Sequence, residues 1–411
     1  MRFSIRQVAA AAALVTAAVT VQAQGLKAEV IHWWTSGGES AAMREFAEAF
    51  KAAGGTWIDN AIAGSEAARA TVVNRIVGGN PSTAAQFNIS KQFHDLIEEG
   101  LLSDLDEVAR KEGWDRMLPA PIISSVKVKG HYYAVPVNIH MIGWFWYSKE
   151  AFQKAGIQRE PQDIDEFFAA LDKLKAAGYV PLALGGQPWQ EKITFDTLLA
   201  NVGGKDLFLK VYRDADAKAV NSPEFKRVLS LFKRMRDYVD AGSAGRNWND
   251  ATAMVISGKA GVQIMGDWAK GEFAGARLTP GKEYGCFPGL GEKSPYIITG
   301  DVFVFPKSKD PNVVKAQQTL ATLMTSPATQ VAFNNKKGSI PIRTDVDSST
   351  MDVCAQAGIR IMKDPSRHLP NAEMLVTPDV NGALQDVITK YWNTNQSVDD
   401  AARAFAAALQ G

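Results

Sequence analysis

Apolar and polar positions along the chain alternate between two rhythms. Val30-Ile31-His32-Trp33-Trp34 is a β-rich run, Ser36-Gly37-Gly38 is a turn, and Met43, Phe46, Ala47 and Phe50 then mark one face of a helix that Gly54-Gly55 stops. Residues 56–62 predict a second strand, residues 66–77 a second helix with Val72, Val73 and Ile76 inward, and residues 84–89 a third strand. This β-α-β-α-β succession predicts an α/β layer. Alternation over 126–136 around Lys129-Gly130 predicts a hairpin leading into Pro136-Val137-Asn138. The clearest helix follows: Asp163 with Glu166 three residues on forms a capping-box-like start, Ile164, Phe167, Phe168, Leu171 and Leu174 make the apolar face, and Gly178 closes it. Further helices are predicted over 223–239, 313–324 and 398–409, and short strands over 261–266 and 302–305. No repeat of 20 to 50 residues is evident.

The N-terminus breaks this rhythm. Met1 to Arg6 is basic, residues 8–21 are apolar, and Val21-Gln22-Ala23 is a small-x-small cleavage signal, so residues 1–23 read as a secretory signal peptide. No later stretch approaches the roughly 18 to 20 apolar residues needed to cross a bilayer, and no Cys follows the apolar core to take a lipid. The expected product is exported to the periplasm, not lipid-anchored, and free in solution. With 45 Lys plus Arg against 44 Asp plus Glu, a net charge of +1 gives no electrostatic reason to expect nucleic acid or an acidic membrane surface as partner. Cys286 and Cys354 are too few for a disulfide scaffold; whether they pair is left open, because a bridge needs their Cα atoms within roughly 7 Å.

Catalytic signatures are missing. No Gly-x-Ser-x-Gly elbow occurs, Gly258-Lys259-Ala260 lacks the hydroxyl residue of a P-loop, and Gly289-Leu290-Gly291 lacks the third glycine of a dinucleotide turn. The five His, at 32, 94, 131, 140 and 368, form no zinc-type spacing, so neither a metal nor a cofactor is expected. The ten Trp say more. Trp33-Trp34 precede a Ser-Gly-Gly-Glu turn, Trp189 follows Gly-Gly-Gln-Pro, Trp248 stands among Asn247, Asn249 and Asp250, and Trp268 follows Gly266-Asp267. Indole faces in polar loops suit the apolar C–H face of a sugar ring, and neighbouring carboxylates, amides and amines suit its hydroxyls, each of which costs about 1–3 kcal/mol if buried unpaired.

Four stretches carry a resemblance: Glu29 to Gly38; Gly130-His131-Tyr132-Tyr133-Ala134-Val135-Pro136-Val137-Asn138 running on to Trp146-Tyr147-Ser148-Lys149; the 161–168 helix start; and Gly258 through Gly266-Asp267-Trp268. With them the chain resembles the periplasmic sugar-binding proteins of ABC importers, of the maltose-binding-protein type within extracellular solute-binding family 1, and most of all the glucose-binding branch. The resemblance implies an α/β, two-lobed periplasmic-binding-protein fold (type II) with the ligand in a cleft between lobes joined by a hinge. It implies an N-terminal lobe of residues 24–135 plus 295–345, a C-terminal lobe of 138–292 plus 348–411, and hinge segments near 136–138, 291–296 and 343–349. Carried over residue by residue, it points to Trp33, Trp34, Glu39, Lys91, Trp248, Trp268, Asp301, Lys337 and His368 as sugar-binding. Trp268 and one of Trp33 or Trp34 would stack on the sugar; Asp301 and Glu39 would accept hydroxyl hydrogens, and Lys91, Lys337 and His368 would donate. Lys336 competes with Lys337, and the sequence does not separate them. The implied protein is a monomer with no enzymatic activity that captures a monosaccharide, glucose first, and hands it to the permease subunits of an ABC transporter. The alternatives are a secreted glycan-active enzyme, for which Asp104 and Asp106 are a nominal carboxylate pair, and a binding protein of the same fold for an oligosaccharide or a polyamine.

Overall fold

The computed structural model describes residues 25–411, so the expected signal peptide lies outside the described residues. Three strands, Lys27–His32, Thr56–Ala61 and Ala84–Asn88, pair in parallel, and the helices Gly37–Ala52 and Ser65–Val77 supply the crossovers that parallel pairing requires. Asp301–Val304 joins their sheet antiparallel to Ala84–Asn88, and Ala134–Pro136 closes the far edge. Ala28, Val30, Ile31, Ala84, Ala85 and Phe87 are all buried, as expected where helices cover both faces of a sheet.

A second sheet orders Tyr284–Phe287, Trp144–Ser148, Ala260–Met265 and Val180–Ala183. The helix Ile164–Ala176 packs on it through Phe167, Phe168, Leu171 and Leu174. Phe145 stacks on Phe287 with ring centroids 4.7 Å apart and meets Phe167 edge-on at 5.1 Å. Asp163 caps this helix, its side chain accepting the Glu166 N–H at 2.8 Å, as the Asp-to-Glu spacing predicts. The aromatic run Trp144–Tyr147 is a strand of this sheet, and the Trp146 indole N–H donates to the Met265 carbonyl at 3.1 Å.

Between the two sheets lies a small third one, ordered His368–Pro370, Tyr296–Thr299 and His140–Ile142. The chain leaves the first sheet after Ala134–Pro136, passes through His140–Ile142, and enters the second at Trp144–Ser148. It returns from Tyr284–Phe287 through Tyr296–Thr299 to Asp301–Val304. These two crossing strands pair antiparallel, with Thr299 opposite His140 and Ile297 opposite Ile142.

Local expectations shift in three places. Val73 points outward, 37% exposed, because Ala68, Val72 and Ile76 already form the buried stripe at i, i+4, i+8 and the next residue lies about 100° around the helix. The hairpin is confined to Lys127–Val128 and His131–Tyr132, since Ala120–Val126 continues as a helix that turns Ile122 and Val126 inward. The helix beginning at Pro223 ends at Arg234 and tightens into a 3₁₀ turn over Met235–Tyr238.

Cys286, on the strand Tyr284–Phe287, forms a disulfide with Cys354, in the first turn of the helix Val353–Met362; their Cα atoms are 6.2 Å apart. The bond fastens the C-terminal segment to the second sheet across a sequence separation of 68, a loop for which chain entropy alone gives about 4 kcal/mol. Replacing both cysteines with Ser is expected to lower the unfolding free energy by about 2–4 kcal/mol. Urea denaturation checks this: an unchanged midpoint with an unchanged slope would show that the bridge contributes nothing to stability.

Candidate functional site

A cavity of about 360 Å³ opens where the first and second sheets face each other across the crossing strands. That volume is at the lower end of the roughly 300–1,000 Å³ typical of small-molecule sites. Its first wall follows from the strand Lys27–His32. Trp33 and Trp34 leave the strand end, and Ser36 then caps the helix Gly37–Ala52 in a reciprocal pair with Glu39. The Glu39 Oε2 atom accepts the Ser36 N–H at 3.4 Å, which leaves Oε1 to accept from Lys337 Nζ at 3.1 Å. Glu39 therefore caps a helix and lines the cavity at once.

Lys337 ends the helix Pro327–Lys337, where Gly338 turns away with a positive φ of 94°. A Cβ at Gly338 would fall 2.3 Å from the Asp267 carbonyl oxygen, so only glycine allows this approach. The ammonium sits over the Trp34 ring at 5.2 Å and the Trp268 ring at 5.8 Å and is buried, so Lys337, not Lys336, meets the cavity. Trp34 is 1% exposed, packed against Phe303 and Phe333, while Trp33 is half-buried beneath the Arg69 guanidinium. Of the two, Trp33 keeps more of its face open.

The second wall comes from the Ala260–Met265 strand and its neighbours. Trp268 lies across the backbone of Gly266, where a Cβ would collide with its ring at 2.2 Å. Trp189 stands 6.4 Å from it, centroid to centroid, and its indole N–H donates to Gln187 Oε1 at 2.9 Å. Trp248 begins a helix flanked by Asn247 and Asn249, and all three line the cavity. Lys192 and Asp196, one turn apart on the helix Pro188–Leu198, pair at 2.6 Å with both groups buried. Burial pushes the Asp196 carboxyl up, against the pull of Lys192 and of the Tyr212 hydroxyl that donates to it.

The floor is made by the crossing strands. His140 lies between two carboxylates, with Nε2 at 2.8 Å from Asp301 Oδ2 and Nδ1 hydrogen-bonded to Asp267 Oδ1. Asp267 also accepts the Met141 N–H at 3.0 Å. Asp301 accepts from Asn138 Nδ2 at 2.9 Å and from Gln86 Nε2 at 3.1 Å, and Gln86 Oε1 in turn accepts the Trp33 N–H at 3.1 Å. Burial works against charge on both partners, yet the His140 ring is held above its usual value by Asp267 and Asp301, against the opposing push of Lys337. The Asp301 carboxyl is held below its own by His140, Lys337 and Asn138. The Trp268 indole meets the His140 ring edge-on at 5.1 Å.

Seven of the nine residues singled out in the sequence thus line one cavity: Trp33, Trp34, Glu39, Trp248, Trp268, Asp301 and Lys337. The structure places the other two elsewhere. Lys91 is exposed and donates to the Leu375 carbonyl at 3.3 Å; His368, on its strand in the third sheet, has Nε2 at 3.2 Å from the Ile361 carbonyl, and burial lowers its pKa. Near Lys91, Asn88 and Glu373 line the cavity and join at 3.2 Å. Sequence reasoning missed His140, Asp267 and Glu272. Glu272 Oε1 accepts from the Ser36 hydroxyl at 2.7 Å and the Gly38 N–H at 2.9 Å, placing a carboxylate at a helix N-terminus. Among the described residues no group of three or more His, Cys, Asp or Glu is arranged to hold a metal ion, and no helix is long and apolar enough to cross a membrane.

Residues 34–331 match the family described as bacterial extracellular solute-binding protein. A protein of Brucella suis biovar 1 (strain 1330) named "Probable sugar-binding periplasmic protein" is 40% identical over 390 residues, covering 93% of this chain and 91% of that one. Among solved structures, maltose-bound MalE3 of T. maritima superposes with a TM-score of 0.77 at 19% identity, over 93% of this chain and 99% of that one. The bacterial solute receptor AcbH, reported with an exclusive preference for β-D-galactopyranose, does so at 0.77 and 19%, over 93% and 97%. The crossing strands and the facing sheets are those of the two-lobed, maltose-type periplasmic fold. The chain belongs to the bacterial extracellular solute-binding protein family.

Proposed function

We propose that this protein captures a monosaccharide, glucose first among the candidates, in the periplasm and delivers it to the permease subunits of an ABC importer without making or breaking a bond. The observation that carries the reading is the combination of indole faces with self-compensated charge. Glu39 is paired with Lys337, Asp196 with Lys192, and Asp301 with His140, so the charged groups in the wall already have partners. Glu373 is held by the amides of Asn88 and Asn381. Such a cavity is lined with donors and acceptors that a neutral polyol can match. Trp268, Trp189, Trp33 and Trp248 supply flat apolar area at little rotamer cost. A cavity of about 360 Å³ suits one pyranose ring better than a chain of them. The galactopyranose preference reported for AcbH and the sugar-binding name of the Brucella relative point the same way.

The mechanism is hinge closure about the crossing segments near Pro136–His140 and Tyr296–Asp301. Trp33, Glu39 and Asp301 would contact the sugar from one lobe, and Trp248 and Trp268 from the other. A ligand shifts the equilibrium toward closure only by the contacts it gains in the closed state, so residues facing each other across the cleft set the response. Lys91 and Asn88 reach the opposite segment directly, at the Leu375 carbonyl and Glu373, and belong to the closing surface.

Isothermal titration of the mature chain with glucose, galactose, mannose and maltose is expected to give binding heat with at least one of the three monosaccharides and a weaker or absent response to maltose. Silence with all four would refute the sugar assignment. Trp268→Ala is expected to raise Kd by roughly 30-fold or more, the loss of a binding hot spot of about 2 kcal/mol, while the thermal midpoint changes little. Titration curves that superpose on the wild type would remove Trp268 from the site.

A further inference from the structure

We propose that His140 is a positioning residue for the cleft: as a doubly protonated imidazolium bonded to Asp301 on one side and Asp267 on the other, it fixes the acceptor carboxylate and the turn carrying Trp268, so that loss of its ring proton weakens ligand binding. This rests on the reading above only in taking Asp301 and Trp268 as ligand contacts.

The geometry favours the charged ring. Asp301 Oδ2 lies 2.8 Å and Asn138 Nδ2 3.1 Å from Nε2, and Asp267 Oδ1 is hydrogen-bonded to Nδ1; a neutral imidazole has one N–H and can donate to only one of the two carboxyl groups. The other charged groups facing this centre are few. Lys337 stands over the Trp268 ring and pairs with Glu39 at 3.1 Å, while Lys270 shares a small cavity with Asp267 and pairs with Asp352 at 2.8 Å. The buried Tyr296 phenol, near Asp267, is held protonated. With the His140 ring charged, Asp267 and Asp301 share its one cation while Glu39 has the Lys337 ammonium; with the ring neutral, that shared cation is gone.

Each bond has a structural consequence. Asp301 follows the crossing strand Tyr296–Thr299 and opens the first-sheet strand Asp301–Val304, and His140 opens the other crossing strand, so the Nε2 bond clamps the two segments together beside the Asn138 to Asp301 contacts at 2.7 and 2.9 Å. Asp267 precedes Trp268, and its backbone N–H also donates to the Met141 carbonyl at 3.2 Å, so the Nδ1 bond holds that turn against the crossing strand. The ring itself abuts the indole edge-on at 5.1 Å. Removing the proton leaves Asp267 and Asp301 with no cation between them, and one bond must break or one carboxyl must take up a proton. Because the His140 pKa is raised above the ordinary value of about 6.5, the charged form holds below that ordinary value and is lost as pH rises through the raised one.

The test is a pH series from 6 to 9.5 on the mature protein, using D-glucose as titrant, with His140→Gln in parallel and the His140 Cε1–H and Trp268 indole resonances followed by NMR. In the wild type, Kd is expected to rise on the order of tenfold or more as the His140 resonance titrates, and the Trp268 indole resonance is expected to move with it. In His140→Gln, Kd at pH 6.5 is expected to be raised by a similar factor and to be nearly independent of pH. A wild-type Kd that stays flat while the His140 resonance titrates, or a Gln variant that keeps wild-type affinity at pH 6.5, would overturn the proposal. If the variant fails to fold, the wild-type series decides alone. If glucose gives no heat with the wild type at any pH, the choice of glucose is at fault. His140 is then judged by NMR: a Trp268 resonance indifferent to His140 deprotonation overturns its positioning role, and one that follows it supports it.

Discussion

A buried ion without a partner costs several kcal/mol even after the protein relaxes, and the centre of this molecule buries five close together. Glu39, His140, Asp267, Asp301 and Lys337 are each less than a tenth exposed. They are tolerable because they form a connected set: Lys337 on Glu39, His140 between Asp267 and Asp301, with the Asn138 and Gln86 amides and the Met141 backbone N–H taking up remaining capacity. The set couples the first sheet to the end of the Ala260–Met265 strand, and His140 and Asp301 both line the cavity and join the two crossing segments. A substitution here is felt both as lost affinity and as lost architecture, and only measurements that separate the two can assign a role.

Backbone approach is what lets the set close. The N-terminal turn at Gly38, the loop after Trp268 and the helix end at Gly338 meet so tightly that a Cβ at Gly38 would lie 2.6 Å from the Gly271 carbonyl carbon. This crowding brings the Lys337 ammonium over two indole rings and places Glu272 where the first helix presents its unpaired N–H groups. Charge near aromatic faces is favourable when water is excluded. The same crowding excludes water.

Elements with strong periodicity were legible from the residues alone. The helix Ile164–Ala176 has its cap, its apolar stripe and its terminal glycine in order, and the parallel strands read as apolar runs between helices because both their faces are covered. Aromatics beside glycine and amide residues marked most of the cavity wall. His140 was not legible: it stands in an apolar run, and its partners lie 127 and 161 residues away, a proximity no local pattern encodes. Val73 shows the complementary limit, since an apolar residue beside a buried stripe carries no sign of which side of its edge it falls on. Lys91 and His368 stand near the cavity without lining it. Asn88 and Glu373, a few residues away in each case, line the wall, while Lys91 spans to Leu375 and His368 turns to a backbone carbonyl. Lys91 lies in the bend after the strand Ala84–Asn88 and Glu373 on the short helix Ala372–Leu375, where no period-two or helical pattern marks which polar side chain turns to the cleft.

The contacts that reach across the cleft mouth bear on how closure can be ligand-dependent. A net hydrogen bond in water is worth about 0.5–1.5 kcal/mol, so Lys91 to Leu375 and Asn88 to Glu373 together supply a modest bias toward closure. Lys91 is exposed, which puts its bond at the weak end. Moving a two-state equilibrium from mostly open to mostly closed takes about 5.5 kcal/mol of differential binding. These two mouth contacts alone fall short of that, and in the proposed closure a molecule touching both walls would add to them and to the Glu272 bonds with Ser36 and Gly38. The protein then discriminates through what the ligand adds. Strengthening the mouth contacts would raise affinity for every ligand that fits and would let the chain close with none, so weak contacts at the mouth and a floor of paired charges are the division by which the proposed closure would report on the ligand.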